Sequence, residues 1–485
     1  MGSYIITGQD LTPLKLYDCI KRGHKIEIDD YVMKRLEHSR KFLESKIQKG
    51  ELIYGVNTNV GALLKEKRKE KNEIELIREH ALSKEMFEEN DIARATLLVL
   101  LNQLALGYST ISPNTYNFLL NFFNSGEKLL FSKIGSLGAS GDLIPLANLS
   151  LSIIESSSKS GNFKKEIELE QGDAIALINS TAHSCASLSF SLVELMELLD
   201  ISCMNVAFST EVLRARTSHF EINALKVKKH TEQIIVGNYI LKLLEGSELT
   251  NKSPEIQEAY TLRCVPQVYG AIKRVLDFTN SCLIQEMNSY SGNPVIDFEN
   301  QEIYYGGNFH AELLSLCADL LRSAIASWGN MIERRINRLL NPNLNRGLPP
   351  FLGKDGSIGL MICQYLAAYH VNELRILATP SCAVSISTSA DQEDFVSMAG
   401  NAVNILRDAI NHLKILLAIE LLCNIEAAKF LEYEKKGGKL KEIYKSILRK
   451  ISQEKDIRDK IETIKNSLEE ICKELRSSFG SLFVE

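Results

Sequence analysis

Two stretches, 309–340 and 392–433, each run for more than thirty residues with apolar side chains at helical spacing, no proline and a single glycine. A helix of that length presents an apolar stripe that it cannot bury alone, so it must lie beside others. A third such stretch covers 357–378. These runs predict a mainly α protein, with long helices bundled side by side and functional loops at their ends.

The longest apolar runs are TLLVLLNQLALG (96–107) and LKILLAIELLC (413–423). Both are shorter than the ~18 residues a membrane span needs, and both contain polar residues. They read as core helices, and no membrane partner is expected. The first residues show neither a basic nor an apolar leader segment. The net charge of −5 gives no basic excess that would suit nucleic acid or an anionic membrane surface. Ten cysteines are scattered without a CxxC pair or a Cys/His cluster at zinc spacing. The expectation is reduced, buried thiols in a cytoplasmic protein, with no metal.

The rest of the chain reads more coarsely. A short strand (SYIIT) opens residues 1–50, followed by helical pattern, and 51–64 is a loop rich in Gly and Asn. Residues 72–125 are helical with breaks near Asn90 and Pro113, and the polar insert 163–173 reads as a small hairpin. Helical pattern returns over 174–240, and 250–270 is a mixed loop. PVIDF and EIYYG, inside 284–308, carry the best strand signals, and 341–356 is a loop by its Pro and Gly content. A charged amphipathic helix pair is expected after Gly438. We divide the chain into an N-terminal domain, 1–190, and a helical domain, 191–485.

The most informative segment is GSLGASGD (135–142). As a bare pattern it could be a glycine-rich turn or an anion nest at a helix N-terminus. It is neither a phosphate-binding Walker loop nor a dinucleotide fingerprint. Chemically, Ala-Ser-Gly is a tripeptide that can cyclise on itself. The Gly141 nitrogen attacks the Ala139 carbonyl, and loss of two waters, one from the Ser140 side chain, leaves a methylidene-imidazolone. Gly permits the tight approach, Ser supplies the hydroxyl that becomes the methylidene, and Ala keeps the ring uncrowded.

The segment GSLGASGDLIPL (135–146) resembles the GxxGASGDLxPL motif of the aromatic amino acid ammonia-lyase family. Further resemblances follow in order along the chain: YGVNT (54–58), ALINST (176–181), QEAYTLRCVPQVYG (257–270), EMNSYSGNP (286–294) and GGNFHAE (306–312). The resemblance implies a fumarase/aspartase-like lyase fold and a methylidene-imidazolone formed from Ala139, Ser140 and Gly141, with no dissociable cofactor. It also implies a small amino acid substrate and a homotetramer with shared active sites. Tyr54 and Tyr260 take the family's catalytic tyrosine positions. Asn179 falls near the prosthetic group, Gln257 beside the substrate, Arg263 on its carboxylate and Phe309 beside the group. Without that frame, Tyr54 is a loop tyrosine, Arg263 an ion-pair residue, and Glu393 an acidic residue at a helix start.

REHAL (78–82) and QEDFVSM (392–398) resemble the histidine branch of the family, which places His80 and Glu393 on the substrate ring. An imidazole wants a donor and an acceptor, and such a pair supplies them. The implied reaction is elimination of ammonia from L-histidine to give urocanate. Several positions depart from the pattern: Asn59-Val60 in the loop, Asn179-Ser180-Thr181-Ala182 followed by His183, Glu258-Ala259, and Phe395. They leave open a lyase or 2,3-aminomutase acting on tyrosine, phenylalanine or a modified histidine.

Overall fold

The computed structural model describes residues 2–68, 72–85, 87–159, 163, 166–354 and 356–483. It is mainly helical. The long helices are Ala182–Val212, Val265–Met287, Glu312–Leu340, Met361–Leu377 and Ala399–Ala428. Among the described residues no helix is long and apolar enough to cross a membrane. All ten cysteines are unpaired, and eight are buried.

The chain forms two compact units, each assembled from three segments. Where the sequence suggested one division after residue 190, unit 1 gathers Met1–Val193, Thr279–Asp319 and Pro380–Ile405. Unit 2 gathers Glu194–Phe278, Leu320–Thr379 and Leu406–Glu485.

In unit 1 the opening strand Ser3–Ile6 pairs in parallel with a second strand, Lys25–Ile28, across the helix Pro13–Lys21. That second strand was not anticipated. The two strand signals at 294–306 form an antiparallel hairpin, Val295–Asp297 with Glu302–Tyr304. A cluster of Phe42, Leu43, Ile53, Val56 and Ile296 is buried here. Ile53 and Val56 bracket Tyr54 in the chain, so burying them pins the loop on both sides of that residue.

The helix Asp173–Ile178 is anchored at its start. Asp173 accepts hydrogen bonds from the Ser112 amide (2.6 Å), Ser112 Oγ (2.9 Å), Thr115 Oγ1 (2.5 Å) and the Glu170 amide (2.8 Å). Glu73 Oε2 accepts from the Ala174 amide at 3.0 Å. The hairpin expected at 163–173 lies partly outside the described residues; the described ones, 163 and 166–172, form no strand.

Two further expectations are corrected. Residues 392–398 are loop, and the helix starts at Ala399. The tail after Gly438 holds three helices, Lys441–Ile451, Ile457–Asn466 and Leu468–Phe479, rather than a pair. Ser467 separates the last two, its amide bonding back to the Thr463 and Ile464 carbonyls.

Unit 2 is organised around a buried polar network. Arg335 and Glu420, both fully buried, pair at 2.5 Å. Arg335 Nη2 also donates to Tyr269 Oη at 2.6 Å. Ser202 Oγ stands 2.8 Å from that phenol and accepts from Trp328 Nε1 at 2.8 Å. Removing one partner of a buried pair strands the other charge. Arg335→Ala is therefore expected to cost about 3–5 kcal/mol in denaturant unfolding. A loss below about 1 kcal/mol would show the network to be dispensable.

Candidate active site

A cavity of about 560 Å³ opens in unit 1, lined by Leu52, Tyr54, Thr58, Gly61, Leu64, Lys65, Ser140, Asn293, Tyr305, Gly306, Phe309, Gln392 and Glu393. That volume suits a small ligand. The lining draws on four separated stretches of chain: the loop after residue 51, the Gly/Ser-rich segment, the hairpin region and the 380s–390s loop.

Ser140 is buried, and its surroundings are specific. Asn179 Nδ2 donates to Ser140 Oγ at 2.7 Å and to the Ser140 carbonyl at 2.9 Å. Asn179 Oδ1 accepts from the Asn293 amide at 2.7 Å, and Asn293 Oδ1 accepts from the Gly306 amide at 3.0 Å. One amide side chain thus ties the Ser140 segment to the hairpin region.

Gly141 has φ +72°, and a Cβ on it would lie 2.4 Å from the Ser180 carbonyl oxygen. Only glycine satisfies both the backbone angle and that close approach. Asp142, beside it, is a buried acceptor. It takes Ser136 Oγ (2.7 Å), Ser184 Oγ (2.7 Å) and the Ser184 amide (2.8 Å), while its own amide donates to Ser180 (2.8 Å). Asp142→Ala leaves those donors without an acceptor in a buried place. It is expected to cost about 2–3 kcal/mol by chemical denaturation, and wild-type stability in that variant would refute the anchoring role.

Tyr54 Oη accepts from the Gly61 amide at 3.0 Å. Burial pushes the phenol above its ordinary pKa, the Gly61 hydrogen bond pulls it down, and the nearby Glu393 charge raises it again. The net direction is upward, so unit 1 by itself does not make the electropositive pocket that a tyrosine base calls for. Glu393 is held by a backbone bridge to Thr388 and by Thr388 Oγ1, which donates to its Oε2 at 2.9 Å.

The other expected residues are placed differently. His80 ends the helix Glu73–His80, and its Nδ1 lies 2.7 Å from the Leu76 carbonyl. A carbonyl can only accept, so Nδ1 is the donor in this contact. His80 does not line the cavity. Gln257, Tyr260 and Arg263 belong to unit 2. Tyr260 is 69% exposed, and the Arg263 guanidinium lies 4.6 Å from its ring centroid. Gln257 lines a separate polar cavity with Arg338 and Arg346. His183, which departs from the family pattern, is buried and meets Glu88 at 2.9 Å.

Sequence reasoning missed Lys65, Asn293, Tyr305 and Gln392. Asn293 and Gln392 lie inside segments already singled out, whereas Tyr305 was read only as strand. Nothing in the local sequence marked Lys65. Among the described residues, no three of His, Cys, Asp and Glu gather as metal ligands would.

The family model for aromatic amino acid lyases matches residues 11–449. The chain belongs to that family. Among aromatic amino acid lyases, a probable histidine ammonia-lyase of Thermoplasma acidophilum is 35% identical, covering 92% of this chain and 94% of its own. The histidine ammonia-lyase of Clostridium tetani is 36% identical over 88% and 87% respectively. The crystal structure of histidine ammonia-lyase from Trypanosoma cruzi superposes with a TM-score of 0.88 at 28% identity, covering 99% of this chain and 95% of that one. Tyrosine aminomutase from Streptomyces globisporus superposes at 0.92 with 25% identity, covering 98% and 99%. The protein is therefore a carbon–nitrogen lyase of the aromatic amino acid lyase fold.

Such lyases work in general through a methylidene-imidazolone. Residues 139–141 fit that group on two observations: the left-handed Gly141 closed in by Ser180, and the buried Ser140 held at both oxygens by Asn179.

Proposed function

We propose that this protein eliminates ammonia from L-histidine to give trans-urocanate, with Ala139, Ser140 and Gly141 forming the prosthetic group. The observation that carries this reading is that Ser140, Tyr54, Phe309 and Glu393 face one cavity of amino acid size. Once formed, the group supplies an electrophile that no standard side chain provides.

The chain's own residues do the rest. Asn179 holds the Ser140 unit through both of its oxygens before cyclisation, and the carbonyl is the acceptor that remains once the hydroxyl is lost. Tyr54 takes the β-proton as the Cα–N bond breaks and ammonia leaves. Glu393 accepts from the imidazole N–H, and His80, at the end of the helix Glu73–His80 and outside the cavity lining of unit 1, is its expected second ring partner. A phenyl ring would leave these polar groups unpaired at about 1–3 kcal/mol each, which disfavours phenylalanine.

Arg263 pairs with the substrate carboxylate, supported by Gln257 and Tyr260. The exposure of Tyr260 suits residues offered to another copy of the chain, and the assembly we propose is a homotetramer with shared sites. A neighbouring cation such as Arg263 would add positive charge beside Tyr54. The unpaired thiols accord with a cytoplasmic location.

The test is incubation with L-histidine while near-ultraviolet absorbance is followed for urocanate. No rise, with the prosthetic group present, would overturn the substrate. The alternative is a 2,3-aminomutase, a reading that the fold shared with tyrosine aminomutase also accommodates. It predicts a β-amino acid and no free ammonia.

A further inference from the structure

The loop that carries Glu393 contains three consecutive non-glycine residues in the left-handed region: Ser389 (φ +53°), Ala390 (+51°) and Asp391 (+64°). Such a run is costly for L-residues and persists only where its surroundings fix it. Here the loop is closed at its base by the bridge between Thr388 and Glu393, with N–H···O distances of 2.9 and 3.3 Å. The Ser387 hydroxyl, donating to the Asp391 carboxylate, closes it further.

From this turn the Ser389 hydroxyl meets the loop that carries Tyr54. Ser389 Oγ accepts the Ala62 amide at 3.0 Å. The amide one residue earlier, Gly61, donates to Tyr54 Oη at 3.0 Å. Two successive backbone donors are therefore met by two hydroxyl oxygens, one of which is the proposed base. The approach is tight: a Cβ on Gly61, whose φ is +57°, would stand 2.4 Å from Ser389 Oγ.

We propose that Ser389 is a positioning residue: its hydroxyl clamps the 61–62 backbone and so keeps the Gly61 amide aimed at the Tyr54 phenol oxygen. This rests on Tyr54 as the base. Ser389 does not line the cavity and touches no reacting atom. The titratable side chains that share the cavity with Tyr54 are Lys65 from its own loop, Tyr305 from the hairpin region and Glu393 from the strained loop. The Gly61 amide favours the phenolate. Losing its aim leaves burial and Glu393 unopposed by it and moves the ionisation upward.

The experiment compares full-length wild type, Ser389→Ala and Ser389→Gly, each with and without Tyr54→Phe. Tyrosinate formation is followed by ultraviolet difference titration, and the contribution of Tyr54 is taken from each pair. Both Ser389 variants are expected to raise the Tyr54 ionisation by about one pH unit. The rising limb of kcat/KM should move by the same amount, a loss of about tenfold near neutrality that is recovered at alkaline pH.

Gly relaxes the left-handed backbone while removing the hydroxyl, so a Gly variant that titrates as wild type would mean that Ser389 only fills a strained turn, and the proposal falls. An unmoved ionisation in both variants overturns it too. Failure of the histidine reading looks different: urocanate is absent in wild type, while the titration difference persists. If Tyr54→Phe keeps full activity, Tyr54 is not the base and the proposal falls with it.

Discussion

Ser140→Ala is expected to abolish ammonia elimination while leaving the fold intact, a loss on the order of 10³-fold or more. Without the hydroxyl, residues 139–141 cannot lose the second water. Alanine fits the space, because among the described residues the donor to Ser140 Oγ is the Asn179 amide, which keeps the Ser140 carbonyl as a second acceptor. Intact mass under denaturing conditions gives an independent readout. The wild type should weigh about 36 Da less than its sequence, the mass of two waters, and the variant should show no such double loss. Near-normal turnover in Ser140→Ala, or an undiminished wild-type mass, would refute the chemistry.

Tyr54→Phe is expected to lower kcat by about 10²–10⁴-fold, the range for removing a positioned general base. The fold should persist, since the buried Ile53 and Val56 on either side of Tyr54 in the chain still anchor the loop and the substitution removes the acceptor of the Gly61 amide. The wild-type pH profile carries the sign. Burial and Glu393 hold the phenol above its ordinary value, and a base acts only when deprotonated. Wild-type kcat/KM should therefore climb from neutral into alkaline pH, and Tyr54→Phe should flatten that rise. A profile that declines over this range would assign the base elsewhere.

Much of this was legible in the sequence, for identifiable reasons. The long helices announce themselves by periodicity, which survives any tertiary context. The Ala-Ser-Gly segment was legible because each residue type is demanded by covalent chemistry rather than by its neighbours. What failed was decided by distant partners. Residues 392–398 have helical spacing, yet the Met398 amide is taken by the Leu137 carbonyl at 2.8 Å, and the helix begins only afterwards. The strand Lys25–Ile28 is four residues long and finds its pair only in parallel, across an intervening helix. The upward push on Tyr54 depends on burial and on Glu393, which lies far along the chain. Ser389 was invisible, because nothing in its local sequence points to the amide of Ala62.

The three-segment make-up of unit 1 has a consequence for biosynthesis. The Ala-Ser-Gly loop emerges early, but a piece of its packing arrives much later: a Cβ on Gly400 would lie 2.5 Å from the Ser136 carbonyl, and the Leu137 carbonyl waits for Met398. A nascent chain that stops short of residue 380 contains residues 139–141 but lacks the segment that packs on Ser136 and Leu137. The packing around this loop is thus completed only when the last of the three segments of unit 1, Pro380–Ile405, has been made.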